Sequence, residues 1–183
     1  MYNLCMKKEL KVVVDKHNIR IVNDIDLALD IMHKASDWMA RKGILVADSW
    51  KHENLNLKYI NNNTSATEKD FYVFYDNEVP FAAGIALNAR NAYIGLLPYK
   101  FKNSLYVGKG CVLDDYHGGK YSRLRLKACM KKAKQEGYDS VLLDVAEYQK
   151  PLWKLYEELG FKMVDTFKDD DEPHTWRIYE FKV

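Results

Sequence analysis

Residues 114–122 read Asp-Asp-Tyr-His-Gly-Gly-Lys-Tyr-Ser, DDYHGGKYS, and lie between the strand-like LYVGKGCVL (Leu105 to Leu113) and the basic, helix-like RLRLKACMKKAKQEG (Arg123 to Gly137). Glycines at a strand-to-helix junction let backbone N–H groups converge on one point, and the helix N-terminus adds about half a positive charge. Such a corner suits an anion, a phosphate above all. Two familiar phosphate loops do not fit: Asp114 stands where a Walker loop needs its first Gly, Tyr121 follows Lys120 where Ser or Thr is required, and no GxGxxG occurs. A lone Gly-Gly is more often an ordinary tight turn, but its place ahead of a basic helix favours the anion site.

Outward from this corner the chain alternates strand and helix signals without repeats or Pro/Ser-rich linkers. Upstream, NIRIVND (Asn18 to Asp24) reads as a first strand. Asn23 or Asp24 caps a helix that carries Ala28, Ile31, Ala35, Trp38 and Met39 on one face and stops at Gly43. Ala47 to Asp70 is polar and Asn-rich, with one short helical stretch around Glu53 to Ile60. FYVFYDNEVPFAAGIALN forms a hairpin about Asp76-Asn77, Ala92 to Leu97 is ambiguous, and Ser104 to Leu113 is the next strand. Downstream, YDSVLLDV (Tyr138 to Val145) has the continuous apolar character of a buried central strand. A helix then begins near Pro151, ends before Gly160 and buries Leu152, Leu155, Tyr156 and Leu159; FKMVDTF and HTWRIYEFKV follow as strands joined by the acidic turn KDDDEP.

Composition narrows the partners. The 183 residues, 48% hydrophobic, suffice for one domain spanning 1–183 with a sizeable core. Twenty-eight Lys and Arg offset 26 Asp and Glu to leave +2, which argues against nucleic acid as the main partner. Cys5, Cys111 and Cys129 show no CxxC spacing, so neither a disulfide framework nor a zinc site is expected, and a reducing cytoplasm fits. The N-terminal MYNLCMKKELKVVVDK has only a short apolar run, too little for a signal-peptide core or a membrane span.

The segment resembles the GNAT superfamily of acyl-CoA-dependent N-acetyltransferases, in which a strand leads into an R/Q-x-x-G-x-G/A turn whose amides hold the CoA pyrophosphate. Here Val112-Leu113-Asp114-Asp115-Tyr116 takes the strand end and His117-Gly118-Gly119-Lys120-Tyr121-Ser122 the turn. His117 stands for the usual Arg or Gln, Lys120 for the central Gly and Ser122 for the terminal small residue. A second stretch, QKPLWKLYEELGF (Gln149 to Phe161), is similar to the family's N-x-x-A-x-x-L-Y helix start and closing G-F pair, with Leu155, Tyr156, Gly160 and Phe161 matching. Gln149 stands where Asn is common and Leu152 where Ala is common. The resemblance covers about the last half of the chain.

This resemblance implies an α/β fold, a mixed, mostly antiparallel central sheet flanked by helices. It implies acetyl-CoA as co-substrate without a metal, and a small-molecule or peptide amine as acceptor. Cys111, Val112 and Leu113 would carry the pantetheine arm; His117, Gly118, Gly119, Lys120, Tyr121, Ser122, Arg123 and Gln149 would bind the rest of the cofactor. Tyr156 would be the general acid, although from periodicity alone it reads as a core aromatic. No base is legible in LYVGKGCVL, which leaves Asp144, Glu147 or a water relay. Arg123, Lys127, Lys131 and Lys134 read as a solvated face, apart from Arg123's nearness to the helix start. His117 and His174 read as loop residues, and Cys111 as a small packing residue. Trp38, Trp50 and His52 lie in the segments that would shape an acceptor pocket, where covering the core is the simpler role. A homodimer is common among relatives. The readings from other classes are a CoA-binding regulatory module without efficient catalysis and, more distantly, a nucleic-acid binder using the basic helix.

Overall fold

The computed structural model describes residues 9–63, 70–92, 100–101, 103–168 and 174–183. Met1 to Lys8, with Cys5, lie outside this set, as do most of the ambiguous Ala92 to Leu97 stretch and the acidic turn before Pro173.

Eight strands form one sheet: β1 (Glu9–Val14), β2 (His17–Asn23), β3 (Asp70–Asp76), β4 (Val79–Asn88), β5 (Ser104–Val112), β6 (Ser140–Ala146), β7 (Lys162–Lys168) and β8 (Thr175–Lys182). Their spatial order is β1-β2-β3-β4-β5-β6-β8-β7. Neighbours pair antiparallel except β5 and β6, which are parallel and joined by a helical crossover. Among the described residues the longer helical elements are α1 (Ile25–Arg41), α2 (Leu57–Asn63), α3 (Lys120–Gln135) and α4 (Lys150–Glu158). No helix among the described residues is long and apolar enough to cross a membrane.

The chain's first described strand is β1, not the Asn18 to Asp24 stretch, which is the second arm of a hairpin. The turn was inconspicuous because Asp15 and Lys16 take left-handed φ of 46° and 70° without a glycine. Asn77 and Glu78 do the same in the β3–β4 turn, at 48° and 67°. The Asp24 side chain accepts from the Leu27 amide and caps α1 as expected. The helix expected around Glu53 to Ile60 splits into a 3-10 turn, His52–Asn54, and α2.

Each sheet face carries its own core. Leu105, Val107, Val112, Leu124, Leu126, Val141, Leu143, Val145 and Tyr156 meet under α3 and α4. Ala28, Ile31, Met32, Leu55, Phe71, Val73, Tyr106 and Leu142 meet under α1 and α2. Leu152, expected in the buried stripe of α4, is exposed at 38%. Trp153 instead packs against the core, with Arg177 over its ring and its indole N–H donated to the Glu147 carbonyl.

Two irregularities of β5 create the site. Its parallel pairing with β6 covers only Ser104 to Tyr106, so the edge from Val107 onward has no strand partner there and a cleft opens. At its base the buried Ser104 and Ser140 hydroxyls are 2.7 Å apart. Gly108 pairs with Ile85 but Cys111 with Ala83, so β5 holds one extra residue near Lys109, whose φ is +50°. This bulge shifts the side-chain alternation by one. Cys111 and Leu113 therefore turn to the α1 face with Tyr106, and Gly110 turns to the α3 face.

Candidate active site

The β5–α3 corner takes the shape that its glycines allow. Gly118 and Gly119 adopt φ of +107° and +93°, and Gly119 is the N-cap of α3. The first amide of the helix to find a main-chain acceptor is that of Arg123, on the Gly119 carbonyl at 3.1 Å. Among the described residues the amides of Gly118, Gly119, Lys120, Tyr121 and Ser122 meet no main-chain acceptor. These are the donors a helix N-terminus leaves over, here beside two left-handed glycines. The exposed Lys120 ammonium sits 5.2 Å above the ring of Tyr121. Nothing lies within 4 Å of where a Cβ would be on either glycine, so space remains around the turn.

The side chains expected around the turn divide in two. His117 stacks face to face on Trp38 of α1 with centroids 3.6 Å apart, and burial lowers its pKa against the opposing pull of Asp114. Tyr121 packs against Tyr116 and Phe81. Arg123 is ion-paired with Glu158 of α4, and Gln149 donates to the Leu45 carbonyl at 3.2 Å. Val112 is buried in the α3-side core, and the Leu113 amide is held by the Phe81 carbonyl. On the basic helix the four residues read as a solvated face stay at the surface: Lys131 and Lys134 are exposed, Lys127 pairs with Asp15 and Arg123 with Glu158. Arg125 and Lys132, outside that face, are buried, the latter paired with Glu136.

Tyr156 projects from α4 into the core beside the cleft and is 6% exposed. Burial pushes its phenol up to about 12, opposed by the charge of Arg125 and reinforced by Asp144. Asp144, on β6 across the cleft, accepts a 2.6 Å hydrogen bond from the Tyr106 hydroxyl. Desolvation raises its pKa, while the Tyr106 bond and the charge of Lys109 oppose the rise. Cys111 is half-buried and its thiol is pushed up to about 12, mainly by burial, so it stays a thiol at neutral pH. Glu147 is exposed and accepts from the Thr175 amide.

On the α1 face the segment after α1 folds back over β5. The Lys109 ammonium donates to the Ser49 carbonyl and lies 5.2 Å from the Trp50 ring. His52 stacks on His33 and pairs with Asp37 at 3.0 Å. Arg41 reaches Asp114 at 2.9 Å, beside a cavity of about 270 Å³ that Lys34, Asp37, Leu113 and Tyr116 help to line. Trp50 thus borders the β5 bulge through Lys109, His52 lies against α1, and Trp38 stacks on His117 of the turn.

The sequence model of the acetyltransferase (GNAT) family matches residues 32–161. The chain belongs to that family. Among curated proteins no sequence matches it significantly. A GNAT-family acetyltransferase from Listeria monocytogenes has the same fold, with a TM-score of 0.66 at 13% identity over 95% of this chain and all of that one, 100%. The ribosomal-protein-S18-alanine N-acetyltransferase of Escherichia coli gives 0.56 at 14% identity, covering 97% of this chain and 94% of its own. A GNAT acetyltransferase from Elizabethkingia anophelis with acetyl-CoA bound gives 0.55 at 15% over 70% of this chain and 84% of that one.

The protein is therefore an acyltransferase, and its mixed sheet with flanking helices is the GNAT fold. Sequence reading did not pair Tyr106 with the candidate base Asp144, 38 residues apart on two strands, nor did it single out the inward Arg125. A signal for Arg125 was present: Gly84 and Gly110 sit inside strands, where glycine marks a bulge or a close approach.

Proposed function

We propose that this GNAT protein transfers an acetyl group from acetyl-CoA to a primary amine by direct attack, with both substrates bound together. The observation that carries this reading is the row of five adjacent amides, Gly118 to Ser122, that meet no main-chain acceptor among the described residues, following the end of β5 that has no pairing with β6. The residues fit the cofactor: a diphosphate takes those donors, and the unpartnered edge of β5 between Val107 and Leu113 offers backbone groups to the pantetheine amides. The side chains of Arg123 and Gln149 are engaged within the protein, so the turn binds by main chain.

Acetyl-CoA supplies an activated carbonyl, and the chain supplies placement and proton traffic. Holding the amine and thioester together contributes several kcal/mol, on the order of 7 or more when alignment is good. A backbone N–H at the β5 bulge polarises the carbonyl as charge develops on its oxygen. Tyr156, protonated throughout the neutral range, donates to the leaving sulfur. Asp144, its proton affinity raised by burial, accepts the proton that the attacking nitrogen loses, directly or through Tyr106. The amine enters on the α1 face, between Trp50, Lys109 and Asp144.

Calorimetric titration with acetyl-CoA, followed by thiol release with a panel of amines, tests this. Saturable binding with amine-dependent release is expected. Absence of binding ends the reading, and binding without release from any amine turns it into that of a CoA-binding module.

A further inference from the structure

Arg125 lies on the inner side of α3 and is 5% exposed. Two strand glycines make its room. A Cβ on Gly110 would lie 2.2 Å from its Nη1, 2.4 Å from Cζ and 2.5 Å from Nη2, and one on Gly84 would lie 3.8 Å from Nη1. The guanidinium therefore rests on the main chain of β4 and β5 at the bulge, where the β5 edge has left β6. Among the described residues its Nε and Nη1, both buried, have no hydrogen-bond partner, and it makes no ion pair.

The titratable groups that sense its charge are Cys111 on β5, Cys129 on its own helix and Tyr156 on α4; β4 presents Gly84. All three titrate well above neutrality, at about 12, 11 and 12, so each is uncharged and none is a counterion. Asp144 is felt by Tyr156 from β6 but bonds to Tyr106 instead. A buried cation without a partner is strongly disfavoured. An enzyme can retain one where an anion forms only during reaction, because such a donor stabilises the transition state more than the ground state.

Resting on the acetyl-CoA reading of the cleft, we propose that Arg125 is a second catalytic residue, whose guanidinium N–H groups hold the negative charge developing on the coenzyme A sulfur. As the amine nitrogen bonds to the carbonyl carbon, the C–S bond breaks and its electron pair stays on sulfur beside Arg125. Tyr156 gives that sulfur a proton and is reprotonated from water; the proton lost by the nitrogen passes to Asp144 and on to water. Arg125 thus carries the thiolate before the phenol neutralises it, and the glycines at 84 and 110 serve that placement.

The test is an ultraviolet thiolate titration of bound coenzyme A, with the desulfo-coenzyme A complex subtracted to remove the protein's own thiols and phenols. Arg125→Met, similar in length but uncharged, should raise the pKa of the bound thiol by about one unit or more, a tenfold loss of thiolate at a given pH. Its turnover should fall with desulfo-coenzyme A affinity unchanged within about twofold, and Arg125→Lys should recover part of the thiol shift. An unchanged thiol pKa in folded Arg125→Met overturns the proposal, as does a parallel loss of desulfo-coenzyme A affinity, which would make Arg125 a structural support. Should Arg125→Met not fold, Arg125→Gln gives the same comparison. Failure of the unsubstituted protein to bind coenzyme A would instead remove the functional reading, and this inference with it.

Discussion

At the scale of single residues, the proposed roles of Tyr156 and Asp144 set opposite ends of the pH profile. Because burial holds the Tyr156 phenol at about 12, it imposes no descending limb near neutrality. Tyr156→Phe should lower kcat about a hundredfold with little change in acetyl-CoA binding, measured by steady-state kinetics and calorimetry. Asp144 must be ionised to accept a proton. Its raised pKa therefore moves the acid limb of kcat/KM above the ordinary carboxylate range, since activity falls as pH drops through that raised value. Asp144→Asn should remove that limb and cost about a hundredfold; a profile with the limb intact would assign the base elsewhere. The tyrosine stands out in the sequence as a candidate because it occupies the matching place of a family motif. The aspartate was one of several candidates, and it took a fold that sets β5 beside β6 to pair it with Tyr106.

At the scale of elements, the strand-to-helix corner depends on two backbone conformations that only glycine adopts easily. Gly119→Ala meets no steric obstacle but forces a non-glycine residue to φ near +93°. It should cost about 1 to 2 kcal/mol in thermal stability and weaken acetyl-CoA binding, read by a melting curve and a titration of the same sample. Equal stability with unchanged affinity would mean that the turn does not grip the cofactor. The corner could be read from nine residues because glycine pairs and helix starts are local signals. The β5 bulge and the first hairpin could not: Lys109 and Lys16 are of a type that rarely takes the left-handed conformation, and Asp15, a type that takes it more readily, is not followed by the glycine that would mark a hairpin turn. On the basic helix, Arg123, Lys127, Lys131 and Lys134 keep to the surface as read, while packing against β4 and β5 turns Arg125 inward, a residue that the spacing of charges does not single out.

At the scale of the whole molecule, β8 is inserted between β6 and the edge strand β7. It pairs with β6 from Ser140 to Ala146 on one side and with β7 on the other. Removing residues 175–183 should strip the outer edge of β6 and abolish the cooperative thermal transition followed by circular dichroism. A truncated chain that still melts cooperatively would show the cleft to be independent of that strand. The sequence by itself determined the alternation of strands and helices, the capped α1, the crossover from β5 through α3 to β6, and the glycine corner, since each rests on contacts between near neighbours. Tertiary structure alone decided where β5 leaves β6, which side chains meet across that gap, and which cation of a basic run is buried. Those outcomes depend on residues tens of positions apart being brought to one point, and on desolvation, which no residue carries until the sheet closes around it.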